Sequence, residues 1–245
     1  MITSAERSRL GRIITRLQSS PEEVNEILAN EQASQMSRAH TVGISGVAGA
    51  GKSTLISRML PVVRNENLRV VVLAIDPTSE GSGGALLGDR IRMRDSYLDE
   101  GVFIRSLATR GAHGALTVAL SSVILVCSYS CDLVIVETAG AGQIDVDIHR
   151  YVDTFVSVVA PLGDEITLMK SGQTDYAHVV AVNVRKGLDG NGRFVDQAQV
   201  ILGRDSLIDG YQRKVFAVDA KSGEGIEPFV REGILARLEG CENSN

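Results

Sequence analysis

Residues Gly46 to Thr54 read GVAGAGKST. The segment follows the apolar run Thr41–Ser45 and opens the amphipathic run Lys52–Val63. It fits G-x-x-x-x-G-K-[ST], with Gly46, Gly51, Lys52 and Ser53 in the defining places. A strand that passes through a glycine-rich turn straight into a helix aims backbone N–H groups at one point, and the helix N-terminus adds partial positive charge there. That arrangement suits a polyphosphate. Gly46, Val47, Ala48, Gly49, Ala50, Gly51, Lys52, Ser53 and Thr54 are therefore the candidate nucleotide-binding residues. Lys52 reaches the β- and γ-phosphates, and the Ser53 hydroxyl can ligate Mg²⁺. The motif alone does not separate ATPases, GTPases and small-molecule kinases.

The rest of the chain repeats the same strand-then-helix grammar. Expected strands are Thr41–Ser45, Arg69–Ile75, Val102–Ile104, Leu133–Val136, Phe155–Ala160, His178–Val182 and Lys214–Val218. They are short, rich in Val and Ile, and apolar without alternation, as strands covered on both faces should be. Between them fall expected helices at Lys52–Val63, Gly114–Ser128, Val195–Leu202 and Ile226–Leu238. This order implies an α/β fold of the P-loop NTPase type, with a doubly wound, mostly parallel sheet flanked by helices. Ligands of such sheets bind beyond the carboxyl ends of the strands. Residues 3–36 read as helices, with Leu10, Ile13, Ile14 and Leu17 on one face and Ser20-Pro21 starting a second helix. The chain of 245 residues thus divides into a helical extension over 1–38, one nucleotide-binding domain over 39–240 and a tail over 241–245.

Composition narrows the partners. Net charge is −5, with 22% charged and 44% hydrophobic residues, so nothing marks a nucleic-acid or polybasic membrane binder. The N-terminus does not read as a secretory signal. Ala115–Val136 is apolar enough to pose as a membrane span, but its serines and Cys131-Asp132 fit a buried helix followed by a buried strand better. Cys127, Cys131 and Cys241 stand at no zinc-finger spacing and read as buried thiols of a reducing, cytoplasmic compartment.

Acidic residues close several strands. Leu133–Val136 runs into Glu137-Thr138-Ala139-Gly140, which looks like the D-x-x-G switch of GTPases with Glu for Asp. A carboxylate there can hold Mg²⁺, and the Gly140 N–H can sense a γ-phosphate. Asp76 ends another strand, and Asp89 follows in LLGDR; an acid at such a place can be a cap or turn former, but both are candidates for a functional role. The position directly after the switch glycine is Ala141, with Gln143 two residues later, so slow unassisted hydrolysis is expected.

On GISGVAGAGKSTL, VLAIDPTSEGSGGALLGDRIRM, FIRSLATRG and VETAGAGQIDVD, the chain resembles the MeaB/ArgK/MMAA family of metallochaperone-type P-loop GTPases. The resemblance implies GTP and GDP as ligands, Mg²⁺ as cofactor and an adenosylcobalamin-dependent mutase as partner, notably of the methylmalonyl-CoA mutase type. It implies Mg²⁺-associated roles for Ser53, Asp76, Asp89 and Glu137. It also makes Gly163–Gly172 a third switch, in which Asp164 and Lys170 join Lys52 and Glu137 as catalytic residues. Some members carry an older label as kinases for lysine/arginine/ornithine transport.

The chain departs from the family at the base. Where N-K-x-D is expected stands Asn183-Val184-Arg185-Lys186, and a lysine cannot accept the guanine hydrogen bonds. Asp189 lies three residues further on. The second base loop is Asp219-Ala220-Lys221, where the Ala220 N–H can face the base. Relaxed or adenine specificity, a kinase, a module without turnover and a nickel metallochaperone remain open beside the GTPase; the last lacks clustered histidines. The family extends into a C-terminal dimerisation arm, so a monomer or a dimer that does not use that arm is expected.

Overall fold

Apolar continuity decides the centre of the molecule. Strands β1 (His40–Ser45), β2 (Val70–Pro77), β3 (Val102–Thr109), β4 (Leu133–Glu137), β5 (Thr154–Val159) and β6 (Val179–Asn183) line up with β9 (Lys214–Val218) in the order β3-β2-β4-β1-β5-β6-β9. Every neighbouring pair is parallel. The computed structural model describes residues 1–20, 25–27, 29, 38–77, 98–109, 113–140, 147–161, 172–184, 191–202, 207–208 and 210–238. Each expected strand is present, and β3 runs on to Thr109 because it stays paired with β2 through Pro77. A two-stranded antiparallel pair, β7 (Leu207–Ile208) and β8 (Tyr211–Gln212), is an addition that the sequence reading lacks.

Successive side chains of these strands enter opposite cores, as the pleat requires. Val71, Leu73, Val134 and Val136 join one core, together with Leu10, Ile14 and Leu17 of helix α1 (Ser4–Ser19), with Val123, Ile124 and Cys127 of helix α3 (His113–Ser128), and with Phe194 and Ala198 of helix α4 (Asn191–Leu202). Val70, Val72, Leu133 and Ile135 join the other, with Leu55, Ile56, Met59 and Leu60 of helix α2 (Lys52–Asn65). Fully burying each Val, Leu, Ile, Phe or Met side chain among these is worth about 1.5–3 kcal/mol. The sheet is therefore held from both faces, and its strand ends are the places left for polar chemistry.

The helix ends follow local rules. Thr3 caps α1: its Oγ1 accepts from the Glu6 N–H at 3.2 Å, and Glu6 Oε2 accepts from the Thr3 N–H at 2.6 Å. Ser20 closes this helix, its N–H donating to the Arg16 carbonyl at 2.8 Å. In the sequence reading Ser20 opens the next helix; Pro21 lies outside the described residues. The Ala115–Val136 stretch resolves into α3 and β4, and no helix among the described residues is long and apolar enough to cross a membrane. Cys131 is buried, and burial pushes its thiol up to about 12. The expected helix Ile226–Leu238 starts as an α-turn at Ile226–Pro228, then widens to a π-helix over Phe229–Leu235 whose Phe229, Val230 and Ile234 are buried. None of the described contacts explains the widening.

At the amino ends of the strands, His40 is 7% exposed and its Nε2 lies 2.8 Å from Thr154 Oγ1. Burial pushes this imidazole down to about 4, against the pull of the Asp153 carboxylate; Arg237, Arg38 and His178 add to the depression. An unfolded histidine titrates near 6.5. Between those values the unfolded chain binds the extra proton, so His40 subtracts stability as pH falls from about 6.5 toward about 4. Denaturant unfolding at pH 7 and pH 4.5 is expected to show a smaller loss in His40→Asn than in the wild type. Equal losses would contradict this.

Candidate functional site

β1 is the hinge of the site because β4 pairs with one side of it and β5 with the other. The chain leaves β1 at Ser45 and turns through residues 46–51 into α2. Ala50 closes the turn, donating its N–H to the Val47 carbonyl at 3.1 Å, and the Leu55 N–H starts the helix on the Gly51 carbonyl at 2.8 Å. Ala48 and Gly49 are exposed at the tip, Val47 is half-buried and Ala50 is buried. Thr54 is exposed in the first turn of α2.

Lys52 is 6% exposed, which is rare for a lysine. Its Nζ donates to the carbonyls of Gly46 at 2.8 Å and Val47 at 3.1 Å. The ammonium is thus held at the mouth of the turn, where a charged phosphate oxygen is a stronger acceptor than a neutral carbonyl. One residue on, Ser53 Oγ donates to Glu137 Oε1 at 2.5 Å. Glu137 ends β4 and is itself 6% exposed. A hydroxyl and a carboxylate brought together beside a phosphate cradle are hard oxygen donors, and they fit Mg²⁺.

The switch segment presses on the same spot. Gly140 has φ +84°, and a Cβ there would lie 2.3 Å from the Gly46 oxygen, 2.7 Å from Lys52 Nζ and 2.8 Å from the Ala48 nitrogen. Only a residue without a side chain can approach the turn so closely. Upstream, the Thr138 N–H donates to the Ile44 carbonyl, and Thr138 Oγ1 donates to Ser45 Oγ at 3.0 Å. Ser45 and Thr138 lie within GISGVAGAGKSTL and VETAGAGQIDVD, but neither occupies a defining place of the phosphate turn or of the E-x-x-G switch. The available signal is a hydroxyl at the end of each of two adjacent apolar strands.

On the base side, Asn183 at the end of β6 braces two loops. Its Nδ2 donates to the Ala50 carbonyl at 2.7 Å, and its Oδ1 accepts from the Ala220 N–H at 3.0 Å. The brace needs Gly51, where φ is +91° and a Cβ would fall 2.3 Å from Asn183 Nδ2. The Ala220 N–H, expected to face the base, is directed to Asn183 instead. Asp219 Oδ1 accepts from the N–H groups of Lys221 at 2.9 Å and Ser222 at 3.2 Å, so this carboxylate shapes its own turn. Lys221 is exposed, and its carbonyl accepts from Arg58 Nη2 of α2 at 2.8 Å, a tie the sequence does not signal.

Lys52, Ser53, Glu137 and Gly140 thus converge at one mouth, with Asn183 and residues 219–221 beside it. Asp76 is the penultimate residue of β2, in register with Ala108. Asp89, Asp164, Lys170, Gln143, Arg185, Lys186 and Asp189 lie outside the described residues.

A family model described as methylmalonyl Co-A mutase-associated GTPase MeaB matches residues 10–237. A putative GTPase of Pyrococcus horikoshii is 50% identical over 155 residues, which are 62% of this chain and 49% of that protein. A fused isobutyryl-CoA mutase of Nocardia farcinica is 42% identical over 187 residues, 74% of this chain and 17% of that one. The chain spans about half the length of the first relatives it matches. Among solved structures, a LAO/AO transport system kinase superposes with a TM-score of 0.65 at 22% identity, covering 100% of this chain and 79% of that chain. At that identity the likeness concerns the fold.

Gly140→Ala is the sharpest probe of this mouth. The added methyl meets the Gly46 carbonyl and the Lys52 ammonium, so nucleoside triphosphate binding is expected to weaken at least about 10-fold with little change in melting temperature, because the strain falls on the turn and not the core. Wild-type triphosphate affinity in this variant, measured by calorimetry, would show that the glycine does not face the ligand.

Proposed function

The chain belongs to the family of methylmalonyl Co-A mutase-associated GTPases, and on that premise we propose that it is a Mg²⁺-dependent GTPase serving an adenosylcobalamin-dependent acyl-CoA mutase as a G-protein chaperone. The reaction is GTP plus water to GDP and phosphate. The observation that carries this reading is the meeting of the Lys52 ammonium, the Ser53–Glu137 pair and Gly140 at the carboxyl end of one strand pair. The fused isobutyryl-CoA mutases of Nocardia farcinica and Cupriavidus metallidurans, in which a segment like this one is joined to a mutase, support the choice of partner.

Each residue has a defined task. The turn from Gly46 to Thr54 binds the polyphosphate through backbone N–H groups. Lys52 leaves the carbonyls of Gly46 and Val47 for phosphate oxygens and offsets their charge. Ser53 and Glu137 would hold Mg²⁺, which supplies charge neutralisation between the phosphates when bound. Gly140 offers its N–H where the third phosphate ends, so the switch segment senses its loss. Asp164 and Lys170 are assigned to a partner-responsive loop, in which the lysine adds positive charge on closure. Ala141 at the water-orienting position makes turnover slow until the partner engages.

Guanine is the base the family implies, while Lys186 and the Asn183–Ala220 hydrogen bond favour a second reading in which base selection is relaxed. Calorimetric titration with GDP, GTP, ADP and ATP in Mg²⁺ separates the two. Tighter guanine binding supports the first reading, and equal affinities the second.

The activity itself is tested by phosphate release with and without a cobalamin-dependent acyl-CoA mutase. The partner is expected to accelerate hydrolysis on the order of 10²–10³-fold, the range a fixed electrostatic group contributes. Lys52→Ala should lose triphosphate binding or turnover. Unchanged hydrolysis in that variant would place the activity elsewhere, and indifference to every cognate mutase would remove the chaperone role.

A further inference from the structure

We propose that the buried hydroxyl pair Ser45–Thr138 is a latch that sets Gly140 against the phosphate turn, which makes Thr138 a positioning residue for distinguishing a nucleoside triphosphate from a diphosphate. This inference rests on the nucleotide-gated reading above, and it concerns a residue that the E-x-x-G pattern leaves unspecified.

Ser45 is the last residue of β1, and Thr138 is the first residue beyond β4. The β1–β4 register pairs Ile44 with Glu137, so Ser45 and Thr138 are the next step of the same ladder. The Thr138 N–H keeps that step, donating to the Ile44 carbonyl at 3.1 Å. The side chains then meet, with Thr138 Oγ1 donating to Ser45 Oγ at 3.0 Å. Their exposures are 1% and 0%. Two hydroxyls in a dry position at the end of Val- and Ile-rich strands lose their water, and valine and alanine would fit the same space without that loss. What the hydroxyls add is direction, because a hydrogen bond fixes distance and angle where an apolar contact does not.

The direction matters because of what lies on either side. Glu137, one residue before, reaches Ser53 in the first turn of α2. Gly140, two residues after, has its backbone packed on the Gly46 oxygen, the Ala48 nitrogen and Lys52 Nζ. The segment is thus pinned at Glu137 by Ser53 and at Thr138 by Ser45, and Gly140 is where slack would appear if the second pin were drawn. The turn itself holds the first two phosphates. Only the third reaches the switch glycine, so slack at Gly140 weakens the triphosphate and spares the diphosphate.

The test is equilibrium titration of guanosine β,γ-imidotriphosphate and GDP, both with Mg²⁺, into the wild type, Thr138→Val and Thr138→Ser, with melting temperatures recorded for each. Thr138→Val is expected to lower triphosphate affinity relative to diphosphate by about 3- to 10-fold, the worth of one neutral hydrogen bond. Thr138→Ser, which retains the hydroxyl, is expected to restore the wild-type ratio. A general loss of stability would weaken both nucleotides together and leave the ratio unmoved. Thr138→Val with the wild-type ratio overturns the latch. Should that variant fail to fold, the double variant Ser45→Ala/Thr138→Val, which leaves no hydroxyl of the pair unmatched, takes its place with the same expected fall and the same overturning result. A wild type that binds neither nucleotide overturns the underlying reading and the latch with it. A wild type that prefers triphosphate while the valine variant keeps that preference overturns the latch alone.

Discussion

The pairing of β1 with β4 is the constraint from which the site follows. Two parallel strands hydrogen-bonded side by side, Ile44 opposite Glu137, deliver the phosphate turn and the switch carboxylate to the same edge of the sheet. Ser53 and Glu137 then meet across 84 residues of sequence without any further device. The register is enforced by the two cores: a slip of one residue would exchange Val134 and Val136 with Leu133 and Ile135 between faces of different shape. Packing in the two cores thus sets the geometry of the candidate site at the strand ends.

The polar architecture has two ends with different purposes. At the amino ends of the strands, His40, Thr154, Asp153 and Arg237 satisfy one another and close the domain. At the carboxyl ends, Ser53, Asn183 and Thr138 hydrogen-bond to segments far away in sequence, while Lys52 closes on the carbonyls of its own turn. Asn183 is the clearest instance. Its two side-chain bonds tie the turn at Ala50 to the loop at Ala220, so a residue expected from the sequence as a base contact fixes the spacing between those two loops.

How much of this was readable before the structure can be judged residue by residue. The strands and the turn were legible because unbroken Val/Ile runs have a single physical explanation in a two-faced sheet, and because the glycine–lysine spacing came with its strand and helix. Contacts between distant segments were not. Nothing in the residue string reveals that Arg58 bonds the Lys221 carbonyl, or that Ser45 faces Thr138, since both depend on strand order. Local ambiguity explains two further differences. Ser20 is as able to close a helix as to open one, and a pair of two-residue strands such as β7 and β8 is too short to show a period.

The central claim is that the turn after β1 grips a magnesium-chelated polyphosphate tail with backbone amides and one ammonium. A crystal structure grown with Mg²⁺ and guanosine β,γ-imidotriphosphate tests it most directly. The expected result is phosphate density enclosed by residues 46–54, with Lys52 Nζ moved from the Gly46 and Val47 carbonyls to phosphate oxygens. Nucleotide bound elsewhere, with Lys52 still on those carbonyls, would contradict it.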